Sequence, residues 1–190
     1  MPLFFNYTET DFYKRDAMNN RVYEVFPWHL TMLCVAFNLA VYGIGAFLLG
    51  RFGIVPLGLY LLYCVWVEAR VLTLSCRDCV YYGKRCAFGK GMVCSWLFKR
   101  GGPDRFISKT ISWLDIAPDM LVSLIPLAAG FILLILDFSW TALILILALI
   151  VLSTAGNGFI RGSVACKYCH QREIGCPAEK LFDNHAGKCD

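Results

Sequence analysis

Apolar residues along this chain gather into four long runs, broken by short polar links and by two cysteine-rich stretches. The runs cover approximately residues 28–50, 54–74, 120–136 and 140–155. Each is apolar all round, without the sustained stripe of a surface helix, and this is the pattern of a helix solvated by lipid. A helix rises about 1.5 Å per residue, so crossing about 30 Å of hydrocarbon takes about 20 such residues. The links Arg51-Phe52-Gly53 and Asp137-Phe138-Ser139 have room only for antiparallel hairpins. Pro56 and Pro126 fall inside spans, and Trp28, Trp113 and Trp140 stand near span ends, where interfacial anchors are expected.

Composition agrees with lipid as the solvent. Of 190 residues, 58% are hydrophobic and 17% charged, against roughly 25% charged in an average soluble domain. The charge pattern sets an expected orientation. Seventeen of the 18 Lys and Arg residues lie before the first span, between Arg70 and Lys109, or from Arg161 onward; only Arg51 lies on the other face. The positive-inside rule then places both termini and the central loop in the cytoplasm, in a multi-pass protein of the cell membrane. Residues 1–25 lack the apolar core and cleavage site of a secretory signal.

The cysteines repeat. Cys76-x2-Cys79-x6-Cys86 recurs as Cys166-x2-Cys169-x6-Cys176, offset by 90 residues, and the same offset carries one hairpin turn onto the other. Pro27 and Pro118, and Arg70 and Arg161, match at an offset of 91. The expected fold is an all-α integral membrane protein with four transmembrane helices. They form two tandem-repeat hairpins, each followed by a small cytoplasmic cysteine-rich metal-binding module. The segments are an N-terminal interfacial stretch (1–25), hairpin 1 (26–75), cysteine module 1 (76–95), an interfacial amphipathic segment (96–116), hairpin 2 (117–160) and cysteine module 2 (161–190). Both hairpins start and end on one side, so the halves would be related by an axis along the membrane normal.

One further cysteine follows each triplet, Cys94 and Cys189, giving four thiols per module. Four convergent thiolates suit zinc, at about 2.3 Å from each sulfur, or an iron–sulfur cluster. Gly83, Gly89, Gly91 and Gly175 supply the tight turns such a knuckle needs. His170 and His185 are alternative fourth ligands in the second module. Two metal centres are expected, with zinc favoured over iron–sulfur in a reducing compartment. Thiol–disulfide chemistry ranks lower, because the quinone-linked disulfide enzymes work on the oxidising side. Cys34 and Cys64, within spans, read as small buried hydrophobes.

Three carboxylates stand out. Glu68 near the end of the second span is expected to pair with an arginine such as Arg70 or Arg161. Asp115 and Asp119 share a helix face, where they could bind a cation or exchange protons; acidic residues also suit the helix N-terminus expected around Pro118. Residues 96–114 mix Trp96, Leu97, Phe98 and Phe106 with Lys99, Arg100, Arg105 and Lys109, suggesting a helix lying on anionic lipid. The spans contain no histidine beyond His29 at one edge, which speaks against a bis-histidine haem. No phosphate-binding loop, nucleophile elbow or zinc-protease helix is present, and nothing supports nucleic-acid binding. The expected function is a non-enzymatic membrane anchor or accessory subunit of a larger membrane assembly, its metal-stiffened loops binding a partner. The alternative is an electron-transfer subunit with two iron–sulfur clusters that exchanges electrons with quinone.

Overall fold

The computed structural model describes residues 22–178. It contains four helices long and apolar enough to cross a membrane: α1 (Trp28–Gly50), α2 (Ile54–Cys76), α5 (Trp113–Leu136) and α6 (Trp140–Ala165). Among the described residues, three short helices lie outside them: α3 (Lys90–Leu97), α4 (Pro103–Ile107) and α7 (His170–Gly175). Among the described residues there is no β-strand, only one isolated parallel bridge between Tyr23 and Cys169. These features are those of a multi-pass membrane protein.

The first helices of the two hairpins, α1 and α5, pack together at the centre. α2 and α6 flank them, each also touching the central helix of the other hairpin. Lipid tails are as apolar as leucine, so such helices associate through close packing and hydrogen bonds, and small residues let them approach. Gly45 of α1 is one such place: a Cβ there would lie 2.3 Å from the Tyr60 hydroxyl of α2. Gly130 of α5 is another, where a Cβ would come within 2.6 Å of Ile146, itself fully buried beside Leu48 and Leu149. Outward-facing residues such as Ile54, Leu62, Val65 and Ile135 are exposed and apolar, as a lipid-facing surface requires.

Two prolines interrupt α5, and α2 answers one of them. Pro126 has no N–H to offer the carbonyl of Val122, four residues back. Tyr60 fills the gap, its hydroxyl donating to that carbonyl at 3.0 Å. One turn along α2, Tyr63 donates to the Pro118 carbonyl at 2.9 Å. An unpaired carbonyl in hydrocarbon is costly, so Tyr60 satisfies backbone within the span, and both tyrosines tie α2 to α5.

Three boundaries differ from the hydrophobic pattern. α5 starts at Trp113, well before the apolar run, because Ser112 and Asp115 form its cap: Asp115 Oδ2 accepts from the Ser112 N–H and hydroxyl, both at 3.0 Å. The helix therefore begins ahead of Pro118 rather than around it. α6 continues ten residues past the apolar run, to Ala165. Residues 96–114 do not form one amphipathic helix. α3 ends at Leu97, Phe98 is extended, and α4 occupies only Pro103–Ile107. Trp96, Leu97 and Leu114 are nonetheless strongly exposed.

Candidate functional site

Helix ends at residues 28, 76, 113 and 165 lie at one end of the bundle, and the two short turns lie at the other. The cysteine triplets leave from the first of these ends. Each is delivered by a widened, π-helical stretch: Leu72–Cys76 before the first triplet and Ile160–Ala165 before the second. The Arg77 N–H reaches Leu72 O at 3.1 Å, and the Cys166 N–H reaches Arg161 O at 2.7 Å, each spanning five residues. Such turns insert an extra residue per turn and recur at functional sites. On either side of Cys86 the chain turns through Gly83 and Gly89, whose left-handed φ of 75° and 68° suits glycine.

The two modules touch. The Tyr81 hydroxyl accepts from the His170 N–H at 2.9 Å, and Gln171 Oε1 accepts from the Val80 N–H at 2.9 Å. Tyr81 also donates to the carbonyl of Tyr23, whose own N–H bonds Tyr168 O at 2.9 Å. Phe26, Cys34, Tyr81, Ala87, Ile160 and Ala165 form a buried core against which Cys79, Cys86 and Cys169 pack. Module 1 is fastened to α1 as well. Thr31 donates to the Cys86 carbonyl at 3.1 Å, and Phe26 and Arg85 exchange hydrogen bonds of 2.9 and 3.0 Å. The modules therefore form one head on the bundle.

Within this head, Cys79 lies in electrostatic reach of Cys169, Cys86 and Cys176. Burial pushes its thiol up to about 12, opposed by the Tyr81 N–H aimed at the sulfur. Burial likewise pushes Cys169 up to about 11, opposed by the N–H groups of Gln171 and Arg172. Cys76 lies in reach of Cys86, Cys79 and Cys94. Cys94 sits apart in one respect: it is fully buried and its thiol donates to the Leu72 carbonyl at 3.5 Å. Cys166 is exposed and Cys176 half-buried. The His170 ring pairs with Glu173 at 3.5 Å. Cys189 and His185 lie outside the described residues. Among the described residues, no three Cys, His, Asp or Glu side chains are already gathered around one point. The donor set itself, soft sulfurs with backbone N–H groups directed at them, suits a thiophilic metal.

The three carboxylates divide. Glu68 pairs with neither arginine. Its partners are Lys90 at 2.8 Å and the hydroxyl of Tyr42. Lys90 opens α3 directly after the cysteine turn, so this pair fastens the head to α1 and α2. Arg70 turns instead to Asp115, donating to its carbonyl at 2.8 Å and meeting its carboxylate at 3.4 Å. Asp115 is thus occupied as cap and ion-pair partner. Asp119 stands in electrostatic reach of Arg161, Lys90, Arg70 and Glu68. Cys34 and Cys64 are buried, as small hydrophobes in a core would be.

Sequence reading passed over Tyr42, Lys90 and Gln171, and it expected Tyr81, with Tyr82 and Phe88, to be exposed for contact with a partner; Tyr81 is instead buried in the core of the head. Tyr81 and Gln171 carried a usable signal, since both stand two residues after the second cysteine of their triplet. Lys90 and Tyr42 carried none, because only folding brings the loop down to the helices. Comparison with protein-family models, with curated proteins and with solved structures finds no match.

Proposed function

We propose that this protein is a membrane anchor or accessory subunit of a larger membrane assembly, built around a metal-binding cysteine head that faces the cytoplasm. The observation that carries this reading is the docking of two equally spaced cysteine triplets into one head fixed to the bundle. A loop of this size has too little apolar core to hold itself, and a metal supplies the missing free energy. The 90-residue repeat gives the two halves one plan: Tyr81 meets His170 as Gln171 meets Val80, and 81 to 171 and 80 to 170 are both offsets of 90. Zinc is favoured, as a closed thiolate site in a reducing compartment. The lysine and arginine bias sets the cytoplasmic orientation. Exposed Met92, Val93, Trp96 and Leu97 on α3, followed by Lys99 and Arg100, give the head a rim suited to the membrane surface.

Metal content and visible absorption of protein purified in mild detergent without air test this reading. Stoichiometric zinc without colour is the expected result, with chelation exposing residues 77–112 to protease while the spans stay helical. Iron with acid-labile sulfide, and a colour bleached by reductant, would replace the anchor with an electron-transfer subunit. Metal-free protein whose loops resist protease regardless of chelator would overturn both.

A further inference from the structure

One face of α2 changes character along its length. Val55, Leu59, Leu62 and Trp66 follow one another at steps of four, three and four, so they form a single stripe, and all are exposed. The stripe runs into a groove of about 330 Å³ lined by Trp66, Ala69, Arg70, Thr73 and Leu74. Small-molecule sites span about 300–1,000 Å³, so this groove has room for a headgroup rather than a large ligand. Arg70 stands six residues before Cys76, the end of α2. That is about 9 Å along the axis, at the level where hydrocarbon gives way to headgroups.

The polar groups at the groove are held in place. Arg70 donates to the Asp115 carbonyl at 2.8 Å and meets its carboxylate at 3.4 Å. A guanidinium has five N–H donors, and these two bonds use two of them. Lys109 arrives from the loop after α4, its Nζ donating to the Leu74 carbonyl at 3.0 Å. The Thr73 hydroxyl is turned to the Ala69 and Arg70 carbonyls, at 2.9 and 3.0 Å, so the two cations are the groups able to hold an anion. Trp66 is braced by Tyr63, whose ring stacks on it at 5.7 Å and whose hydroxyl is fixed to the Pro118 carbonyl. Glu68 stands two residues from both Trp66 and Arg70, hence on the opposite side of the helix, where Lys90 and Tyr42 hold it. Arg70 and Lys109 set against Asp115 leave the groove with one positive charge in excess.

We propose that this groove binds one anionic glycerophospholipid from the bilayer, with its phosphate on Arg70 and Lys109 and an acyl chain along Val55, Leu59 and Leu62. Cations at headgroup depth above an apolar stripe match the order in which such a lipid presents its parts. The planar fork of arginine suits phosphate, to which it can direct two N–H groups at once. The site goes beyond the anchor reading and lies outside the cysteine head. It sits beside the Arg70–Asp115 contact that joins one hairpin to the other.

Native mass spectrometry of the full chain, delipidated in mild detergent and titrated with equimolar phosphatidylglycerol and phosphatidylcholine of matched chains, tests this. A lysine or arginine near an anionic lipid surface changes binding by about fivefold. One retained phosphatidylglycerol per chain is expected, preferred by about that factor. Arg70→Gln and Lys109→Gln should each bring the preference to near parity, and Lys99→Gln with Arg100→Gln should leave it unchanged. Asp115→Asn should raise it by about fivefold, whereas a purely structural role for Asp115 would lower it, and this sign decides the matter even where Arg70→Gln fails to fold. Equal binding of the two lipids, or a preference that survives Arg70→Gln and Lys109→Gln, would overturn the site. So would a preference lost only with Lys99 and Arg100, which would move the lipid to the rim of the head. Equally strong binding of soluble glycerol phosphate would show that the acyl stripe plays no part and overturn the lipid as occupant.

Discussion

Replacing Tyr60 with phenylalanine removes one hydroxyl and nothing else, and the structure says what that hydroxyl does. It donates to the Val122 carbonyl at 3.0 Å, the carbonyl that Pro126 leaves without its helical donor. Interhelical hydrogen bonds in membranes average about 0.6 kcal/mol and reach about 1.7. This one belongs at the upper end, because Pro126 cannot supply the helical N–H and Tyr60 is 3% exposed, shut off from water. Tyr60→Phe should therefore destabilise the bundle by about 1–1.5 kcal/mol. Pro126→Ala restores an N–H to residue 126, and the helix can then satisfy Val122 itself. In that background Tyr60→Phe should cost about 0.5 kcal/mol or less. A double-mutant cycle, read by tryptophan fluorescence during reversible unfolding in mixed micelles, measures the difference. Distant sites add to within about 0.3–0.5 kcal/mol. An equal cost of Tyr60→Phe in both backgrounds would refute the claim that the tyrosine compensates the proline.

The other expectations are simpler. Gly45→Val should cost about 1–3 kcal/mol through overpacking, since its Cβ would fall 2.3 Å from the Tyr60 hydroxyl, whereas Gly43→Ala, with nothing within 4 Å, should be neutral or slightly stabilising; thermal unfolding in detergent compares them. Lys90→Met should cost about 1–3 kcal/mol by leaving Glu68 with only Tyr42, and Glu68→Gln in the Lys90→Met background should then add little; full additivity in the same unfolding assay would show that the pair does not interact. Maleimide labelling of native protein followed by peptide mapping should modify exposed Cys166 well before fully buried Cys94. Burial holds the Cys94 thiol above its ordinary value, so its contribution to stability is complete below about pH 8.5 and is lost as pH rises through the raised value. The head should therefore loosen on the alkaline side, and labelling of Cys94 should rise with pH there; labelling at neutral pH as fast as Cys166 would contradict its burial.

Four spans, their two tight turns and the lysine–arginine asymmetry were legible in the residues alone, because a lipid core imposes length and apolarity on any helix crossing it. The ends of the spans were less legible. Apolarity reports where lipid is, whereas a helix continues as long as its backbone is bonded. α5 therefore starts at the Ser112–Asp115 cap, and α6 runs on through polar Asn157 and Arg161 to Ala165. Glu68 was recognisable as an unusual carboxylate, but pairing by proximity in sequence pointed to an arginine. Its actual partner, Lys90, arrives from the returning cysteine loop.

The candidate site follows the same division. Spacing alone announced two cysteine triplets with equal geometry, since ligand-like intervals are a property of the chain. Which thiols share a neighbourhood is a property of the packing, because segments 90 residues apart meet only when both hairpins have closed around α1 and α5. Tertiary structure alone turned Cys94 to the Leu72 carbonyl, set Cys79 beside Cys169, and joined the modules through Tyr81 and Gln171. The sequence by itself determined the apolar solvent, the number of helices able to cross it and the spacing of the thiols, through local and compositional constraints. Only the fold decided which thiols and polar groups face one another, because that depends on non-local contacts whose cost in chain entropy is met by the bundle beneath them.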